Sequence, residues 1–174
     1  KREEEVPQSP EEWAEEHGIR IEPSTPKPVT RAMLEEVNKE VAKIPQVVLA
    51  DIKAAGSDLQ LVADSGITAH PRYKHLQGIR PRGWPVGYTW DNVPGAGASR
   101  KGDPTIIVAN RLKEGHGSVN AILHESAHTY DRAKDMLTDG DSWRKLHKAI
   151  GWPSTYESKY AEEAFAEAFA MFYH

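Results

Sequence analysis

The sequence predicts a single α+β domain, in which a small N-terminal sheet with helices is followed by a mainly helical C-terminal half. Three short apolar segments have the length and composition of buried strands, namely residues 19–22 (IRIE), 59–63 (LQLVA) and 105–109 (TIIVA). Most helical patterns follow the last of them, and strands that precede helices instead of alternating with them indicate the α+β class. The length of 174 residues fits one domain with its own core.

Residues 1–18 are expected to form a peripheral N-terminal arm outside the domain of residues 19–174. They combine prolines, many charged side chains and one isolated aromatic residue, Trp13. That composition favours a loose segment or a peripheral helix, and docking through Trp13 is the alternative. Because the arm is charged rather than apolar, we expect no signal peptide within it.

Two helices are predicted between the first and second strands. The longer covers residues 30–44 and is closed by Pro45, and the shorter covers residues 47–55 and ends at Gly56. The apolar residues that repeat at helical spacing in the longer one are Met33, Leu34, Val37, Val41 and Ile44.

Residues 66–104 form a long segment that is rich in Gly, Pro and aromatic residues and lacks helical periodicity. A segment of this length is more than a connection and is typical of functional loops or of disorder. Trp84, Tyr88 and Trp90 favour an ordered, functional loop.

His124, Glu125 and His128 form a His-Glu-x-x-His pattern in a predicted helix of residues 118–133, with Ser118 as its N-cap. Histidines four apart project from one helix face and can bind one metal ion, while the intervening Glu can act as a base toward water at the metal. An accidental match on an exposed helix is the alternative. The residues expected to face the core are Val119, Ile122, Leu123 and Ala127.

The last helix, which follows a predicted helix at 141–149, offers the third protein ligand that a catalytic zinc site needs. Glu163 and Glu167 share a face, so Glu163 could bind the metal while Glu167 supports a ligating imidazole. Glu162 is the competing ligand, because neighbours on a helix point about 100° apart and only one of them can face the histidines. A solvated acidic face is the structural alternative. The aromatic residues at core spacing are Phe165, Phe169 and Phe172.

Composition excludes several other classes. A net charge of −4, a pI near 6.1 and the lack of Lys/Arg clusters argue against nucleic-acid binding. No apolar run is long enough for membrane insertion, and without cysteine only imidazole and carboxylate side chains remain as metal ligands. Oligomeric state is not indicated. The histidines without ligand spacing are interpreted as surface residues: His17, His70, His75, His147 and His174.

Three blocks of the sequence resemble the Pro-Pro endopeptidases, which are secreted bacterial zinc proteases related to the catalytic domain of anthrax lethal factor. The blocks are residues 81–99 (PRGW…TWDNVPGAGAS), 115–131 (GHGSVNAILHESAHTYD) and 156–169 (Y…AEEAFAEAF). The resemblance implies a zincin-like metalloprotease domain, Zn²⁺ as cofactor, secretion, and a proline-rich peptide or protein as substrate. The loop between Gly97 and His116 is longer than in that family, so preferences beyond the two prolines stay open.

The same resemblance implies roles for individual residues. It assigns the metal to His124, His128 and Glu163, the catalytic base to Glu125, and an electrophilic role to Tyr156, seven residues before the ligand Glu. For Tyr156, packing or surface exposure is the alternative.

Substrate contacts are expected at four residues. The resemblance places Arg82 and Trp84 beside the substrate channel and pairs Arg82 with Glu162; a core position is the alternative for Trp84. His116 leads into the metal helix and is a candidate contact by position, with a structural histidine as the alternative.

Three functions are consistent with these patterns. The first is a secreted zinc endopeptidase that cuts Pro-Pro bonds in extracellular or surface proteins. The second is a lethal-factor-like effector protease without Pro-Pro specificity, and the third is a non-catalytic, zinc-stabilised binding module. An intact Glu125 disfavours the third, because a structural zinc site needs no base.

Overall fold

The computed structural model describes residues 8–23, 27–63, 66–81, 84–112, 117–152 and 154–174. In these ranges the chain has four strands and seven α-helices, so the predicted α+β class is confirmed. The strands are β1 (Ile19–Ile21), β2 (Leu59–Val62), β3 (Gly95–Ala96) and β4 (Thr105–Val108). The helices are α1 (Pro10–Glu16), α2 (Arg31–Val41), α3 (Gln46–Ala54), α4 (Ala121–Ala133), α5 (Asp141–Ala149), α6 (Thr155–Lys159) and α7 (Ala161–Tyr173).

The sheet has the strand order β1-β2-β4-β3. The three strands that the sequence predicts, β1, β2 and β4, run parallel, whereas β3 pairs antiparallel with β4 at the edge. Strand β3 was not predicted, because two small residues carry no alternation of apolar and polar side chains. Its position is nevertheless important, since this edge borders the cleft described below.

Different parts of the chain cover the two faces of the sheet. Leu61 and Ile107 point to a core built with α1, α2 and α4. Val62 and Ile106, their neighbours in sequence, point to the opposite face and pack against the segment 66–104. The described residues of this Gly- and Pro-rich segment, 66–81 and 84–104, therefore form an ordered cover over one side of the sheet. A third apolar cluster joins α3, α4 and α7.

The expectation of a peripheral arm is wrong for residues 8–18. Helix α1 begins with a capping box formed by Ser9 and Glu12, and Trp13 and Ala14 are buried in the core beside β1 and α2. Burying one large aromatic side chain compensates for the polarity of the surrounding sequence. The docking alternative is thus the correct one, and residues 1–7 lie outside the described residues.

Several details of the predicted helices also differ. Helix α4 begins at Ala121, because the side chain of Asn120, not that of Ser118, accepts a hydrogen bond from the Leu123 amide. Val119 therefore precedes the helix and is 50% exposed, and Phe172, near the end of α7, is 80% exposed instead of facing the core. Within the described ranges, no helix combines the length and apolar character that crossing a bilayer requires.

His70 is not a surface residue. Its Nδ1 accepts a hydrogen bond from the Arg72 amide at 3.1 Å, and its Nε2 lies 2.8 Å from Oε1 of Gln60 on β2. The buried imidazole therefore ties the long covering segment to the sheet.

Candidate metal centre

Three side chains from two helices converge on one point. On α4, the Nε2 atoms of His124 and His128 lie 3.2 Å apart. Oε2 of Glu163 on α7 is 3.3 Å from the first and 3.5 Å from the second. The spacing of four residues aligns the imidazoles, and packing of α7 against α4 supplies the carboxylate.

The dimensions of this triangle fit a zinc ion. Zinc bonds nitrogen and oxygen ligands at about 2.0–2.1 Å in a tetrahedron, which places neighbouring ligand atoms about 3.3–3.4 Å apart. The three observed separations span 3.2–3.5 Å. Two imidazoles and one carboxylate are also a donor set that zinc accepts in catalytic sites.

Glu163, and not Glu162, lies together with the two histidines. In the part of the chain that the structure describes, the group of ligand atoms suited to a metal ion consists of His124, His128 and Glu163. Glu162 lines the cleft but does not belong to this group. Of the two neighbours that the sequence left open, the geometry favours Glu163.

Glu167 contacts the ring nitrogen of His124 that faces away from the three-residue cluster. Its Oε2 lies 3.3 Å from Nδ1 of His124, and its Oε1 accepts the Val119 amide at 3.3 Å. Burial opposes ionisation of Glu167, but hydrogen bonds from His124, Ser118 and Val119 outweigh it and lower its pKa. A carboxylate only accepts, so Nδ1 carries a proton, and Nε2 is the ring nitrogen that would bind a metal after losing its own proton.

Mutual contacts shift the pKa values of the histidine and glutamate side chains in the cluster, and these shifts favour oppositely charged partners. Burial alone would lower the pKa of His124, but hydrogen bonds with Glu163 and Glu167 raise it to about 10. Burial would raise the pKa of Glu163, yet its contacts with His124 and His128 bring that pKa well below the usual range. Metal binding at this cluster must therefore release protons.

Glu125 is buried beside the metal ligands and lines the same cleft. Its Oε2 accepts the Gly97 amide at 2.6 Å, and this contact orients the carboxylate. A side chain at position 97 would place a Cβ 2.5 Å from Cβ of His128, so only glycine allows the chain after β3 to approach α4 this closely. Gly97 is not among the predicted site residues, although the run GAGA in residues 95–98 is the sequence signal for it.

Thr129 fixes the same loop one turn further along α4. Its hydroxyl donates to the Glu125 carbonyl at 3.2 Å and accepts the Ala98 amide at 3.0 Å. The Thr105 hydroxyl lies 2.6 Å away and donates to it. A buried hydroxyl with three partners thus links α4, β4 and the loop that carries Gly97.

Tyr156 reaches the cluster from α6. Its hydroxyl donates to Oε1 of Glu163 at 3.2 Å. Burial and the adjacent negative charge of Glu163 raise the pKa of Tyr156 to about 12, so the hydroxyl keeps its proton at neutral pH. Helix α6 was not predicted, because five residues are too few to show helical periodicity.

The two histidines, Glu163, Glu125 and Tyr156 line one cleft of about 950 Å³. Trp84 and Trp90 line the cleft and also pack against the core. The substrate contact of Trp84 stays a prediction. Tyr73 stacks with Trp90 at 6.2 Å between ring centroids. Arg82 and His116 lie outside the described residues, and their roles stay predictions.

Comparison with known proteins places this site in a family. The family model described as "Anthrax toxin lethal factor, N- and C-terminal domain" matches residues 20–174. A Pro-Pro endopeptidase of Paenibacillus alvei is 30% identical over 146 residues, which are 78% of this chain and 64% of that protein. A Pro-Pro endopeptidase of Clostridioides difficile is 35% identical over 112 residues, which are 62% of this chain and 50% of that protein.

A solved structure agrees with the sequence comparisons. The structure of the Pro-Pro endopeptidase from Paenibacillus alvei superposes with a TM-score of 0.75 and 25% sequence identity, covering 88% of this chain and 83% of that one. The chain spans less than two thirds of the first curated relative and half of the second. Because the family model covers nearly the whole chain, this protein belongs to the anthrax toxin lethal factor, N- and C-terminal domain family.

Proposed function

We propose that this protein is a zinc-dependent endopeptidase that hydrolyses the bond between two prolines, acting outside the cell on proline-rich segments of extracellular or surface proteins. The observation that carries the proposal is the triangle of His124, His128 and Glu163 with Glu125 beside it in an open cleft. Two relatives named Pro-Pro endopeptidases support the substrate class. The resemblance of three sequence blocks to secreted proteases supports an extracellular location.

His124, His128 and Glu163 would hold the ion, and Glu167 would keep His124 in the required tautomer. When bound, Zn²⁺ supplies Lewis-acid polarisation of the scissile carbonyl and lowers the pKa of water toward neutrality. Glu125 takes the proton of the attacking water and delivers it to the leaving group. For a Pro-Pro bond that leaving group is the ring nitrogen of the second proline, a secondary amine that must be protonated when the bond breaks.

Tyr156 stabilises the negative charge that develops on the scissile carbonyl oxygen. Its hydroxyl keeps its proton, because burial and the charge of Glu163 raise its pKa to about 12, so it is available to donate. In the free site this proton points at Oε1 of Glu163, 3.2 Å away. A preorganised donor of this kind contributes about 2.7–4 kcal/mol to transition-state stabilisation.

The cleft suits a substrate that offers few backbone donors. Proline has no N–H and keeps the residue before it extended, so a Pro-Pro segment is a stiff polyproline rod. A Pro-Pro segment can form few backbone hydrogen bonds with the edge strand of a sheet. The edge strand beside the cleft, β3, is only two residues long and offers few such bonds. The aromatic wall with Trp84 and Trp90 provides the flat surface that proline-rich peptides commonly use. Glu162 lines the cleft within reach of the same substrate.

The two alternatives differ in what they require. An effector protease without Pro-Pro specificity would share the metal centre, and the names of the relatives favour the diproline substrate over it. A non-catalytic zinc module gives no reason for a buried Glu125 whose carboxylate the Gly97 amide orients toward the cleft.

The experiment pairs metal analysis with a peptide-library digest. The protein is purified, loaded with Zn²⁺ and incubated with peptides that carry proline on both sides, one side or neither side of the central bond. We expect one zinc per chain and cleavage only where both residues are proline. Cleavage without regard to proline would support the effector protease, and no cleavage of any peptide would support the binding module.

Glu125→Gln is the matched control for that digest. The substitution keeps the size of the side chain and removes its basicity, so zinc content should stay unchanged while turnover falls by a factor of about 100–10,000. A variant that cuts at the wild-type rate would remove Glu125 from the mechanism.

A further inference from the structure

We infer that His147 on α5 is a positioning residue that holds α6 in the place where Tyr156 meets Glu163. The inference rests on the proposed function only in that Tyr156 is taken to act in the reaction. The structural part, that α5 fixes α6, stands on hydrogen bonds and can be tested without any substrate.

Helix α6 needs support from outside. It has five residues, and none of them is buried. A helix of this length is unstable by itself, because the cost of nucleation is not repaid by so few hydrogen bonds. Ser154 caps its first turn by accepting the amides of Tyr156 and Glu157, but a cap fixes the start of a helix and not its position on the protein.

His147 attaches α6 to α5, in addition to the packing of α6 against α7. Its Nε2 lies 2.7 Å from the backbone oxygen of Glu157, the residue after Tyr156. A carbonyl oxygen can only accept, so Nε2 carries the proton and donates. Trp152 holds the histidine in turn, because its Nε1 donates to the His147 carbonyl at 2.8 Å and its ring lies against the imidazole at 5.4 Å.

Trp143, one turn earlier on α5, makes the second attachment. Its Nε1 donates to the carbonyl of Ala161 at 2.9 Å, two residues before Glu163, and its ring meets Phe165 edge-on at 5.3 Å. Helix α5 is thus bonded to the backbone next to Tyr156 and to the backbone just before Glu163. These two bonds connect α5 to both chain segments that carry the pair.

The character of α5 agrees with a supporting role. None of its nine residues is buried, so the helix contributes little to the core. The polar contacts of His147 and Trp143 are directed instead at the two helices that carry Tyr156 and Glu163. A displacement of about 1 Å can cost a factor of about 100 in rate, so a small loosening of α6 should be measurable.

The test compares three substitutions at position 147. His147→Gln keeps an amide N–H at nearly the reach of Nε2, His147→Asn keeps the amide but falls short, and His147→Leu removes the donor. Lys145→Leu, at an exposed position on the same helix, is the matched control. We expect His147→Leu and His147→Asn to lower kcat by about tenfold with KM within about twofold of wild type, and His147→Gln to restore kcat to within about twofold.

A double variant tests whether His147 acts through Tyr156. If it does, His147→Leu should have no further effect on kcat in a Tyr156→Phe background. A second tenfold loss in the double variant would overturn the inference. If His147→Leu fails to fold, the comparison of Gln with Asn answers the same question with a smaller change, and equal kcat for these two variants would likewise overturn it.

Hydrogen exchange gives a readout that needs no activity. The amides of Ser158 and Tyr160, which bond within α6 to Ser154 and Tyr156, should exchange faster in His147→Leu and at the wild-type rate in His147→Gln. Unchanged exchange in α6 would overturn the inference. If the wild-type protein cuts no proline peptide, the proposed function fails, and the exchange experiment still decides whether α5 positions α6.

Discussion

Helices α4 and α6 both bring chemical groups to the cleft, but by different means. Helix α4 has thirteen residues, of which nine are buried between the sheet and α7. Helix α6 has five residues and buries none. His124 and Glu125 are accordingly almost inaccessible, at 8% and 7% exposure, whereas Tyr156 is 51% exposed.

This difference shows how the site divides its tasks. The proposed metal ligands and the proposed base need a fixed geometry, and close packing of α4 against the core provides that rigidity. Tyr156 is held at the surface by hydrogen bonds and ring contacts, which can open at a smaller cost in free energy. We therefore expect substitutions of the proposed metal ligands and base to lower activity more than substitutions on α6.

Glu163→Gln should have the largest effect. The amide removes the negative charge that attracts both imidazoles and the metal. Replacing a residue that only supports a ligand typically costs 10–100-fold in metal affinity, so the loss of a ligand should cost more than about 100-fold. Metal analysis after dialysis and a peptide-cleavage assay measure the two consequences.

Glu162→Gln provides the matched control for metal content. The two glutamates are neighbours on α7, but only Glu163 lies within 3.5 Å of the histidines. Glu162→Gln should therefore retain metal at the wild-type level, whatever it does to substrate binding. Equal metal loss in both variants would show that helix charge, and not ligation, holds the ion.

Tyr156→Phe should have the next largest effect. Removing one hydroxyl that stabilises an oxyanion lowers kcat by a factor of about 100–1,000, while metal content should not change because the phenol is not a ligand. Steady-state kinetics on a Pro-Pro peptide gives the number. Tyr173→Phe removes a hydroxyl from the far end of α7, outside the cleft, and should leave kcat as it is. A Tyr156→Phe enzyme with wild-type kcat would contradict the assigned role.

The part of the site on α4 could be predicted from sequence because helical geometry fixes it. Residues four apart on a helix must lie on one face, so the pairing of His124 with His128 and the adjacent position of Glu125 follow directly. The same rule paired Glu163 with Glu167 on α7. That α7 would pack against α4 does not follow from periodicity, and there the family resemblance was needed.

The rest of the site is built from features that leave little periodic signal. Strand β3 has two residues, α6 has five, and Gly97 acts by lacking a side chain. His147 matched no ligand spacing and was interpreted as a surface residue, yet it contacts backbone of another helix. Trp13 shows the opposite case, since the polar composition around it hid a core residue. Such contacts join residues that are distant in the sequence, so local sequence patterns do not predict them.

Thr129→Val tests how the α4 side is held. Valine has the shape of threonine but leaves the buried Ala98 amide and Thr105 hydroxyl without their acceptor. We expect a loss of about 1–3 kcal/mol in the free energy of unfolding, measured by denaturant titration. Thr129→Ser keeps the hydroxyl and should recover most of the loss. A valine variant as stable as wild type would mean that the loop carrying Gly97 is fixed by other contacts.

The smallest expected effect is on the pH dependence of stability, and it comes from His70, in the segment that covers the sheet. Burial lowers the pKa of His70 from its ordinary value of 6.5, and the nearby charges of Arg20 and Arg72 add to this, whereas Glu22 and Asp58 oppose it. The unfolded chain therefore binds the proton more readily than the folded one. The stability that neutral His70 contributes is complete above pH 6.5 and is lost as the pH falls from there toward the lowered folded value.

Urea denaturation at about pH 8 and about pH 5 measures this contribution. Wild type should lose more stability between the two values than His70→Gln, whose amide does not titrate. His75→Gln, at an exposed position in the same segment, should behave like wild type. If His70→Gln loses as much stability on acidification as wild type, the link between the covering segment and β2 does not depend on a neutral imidazole.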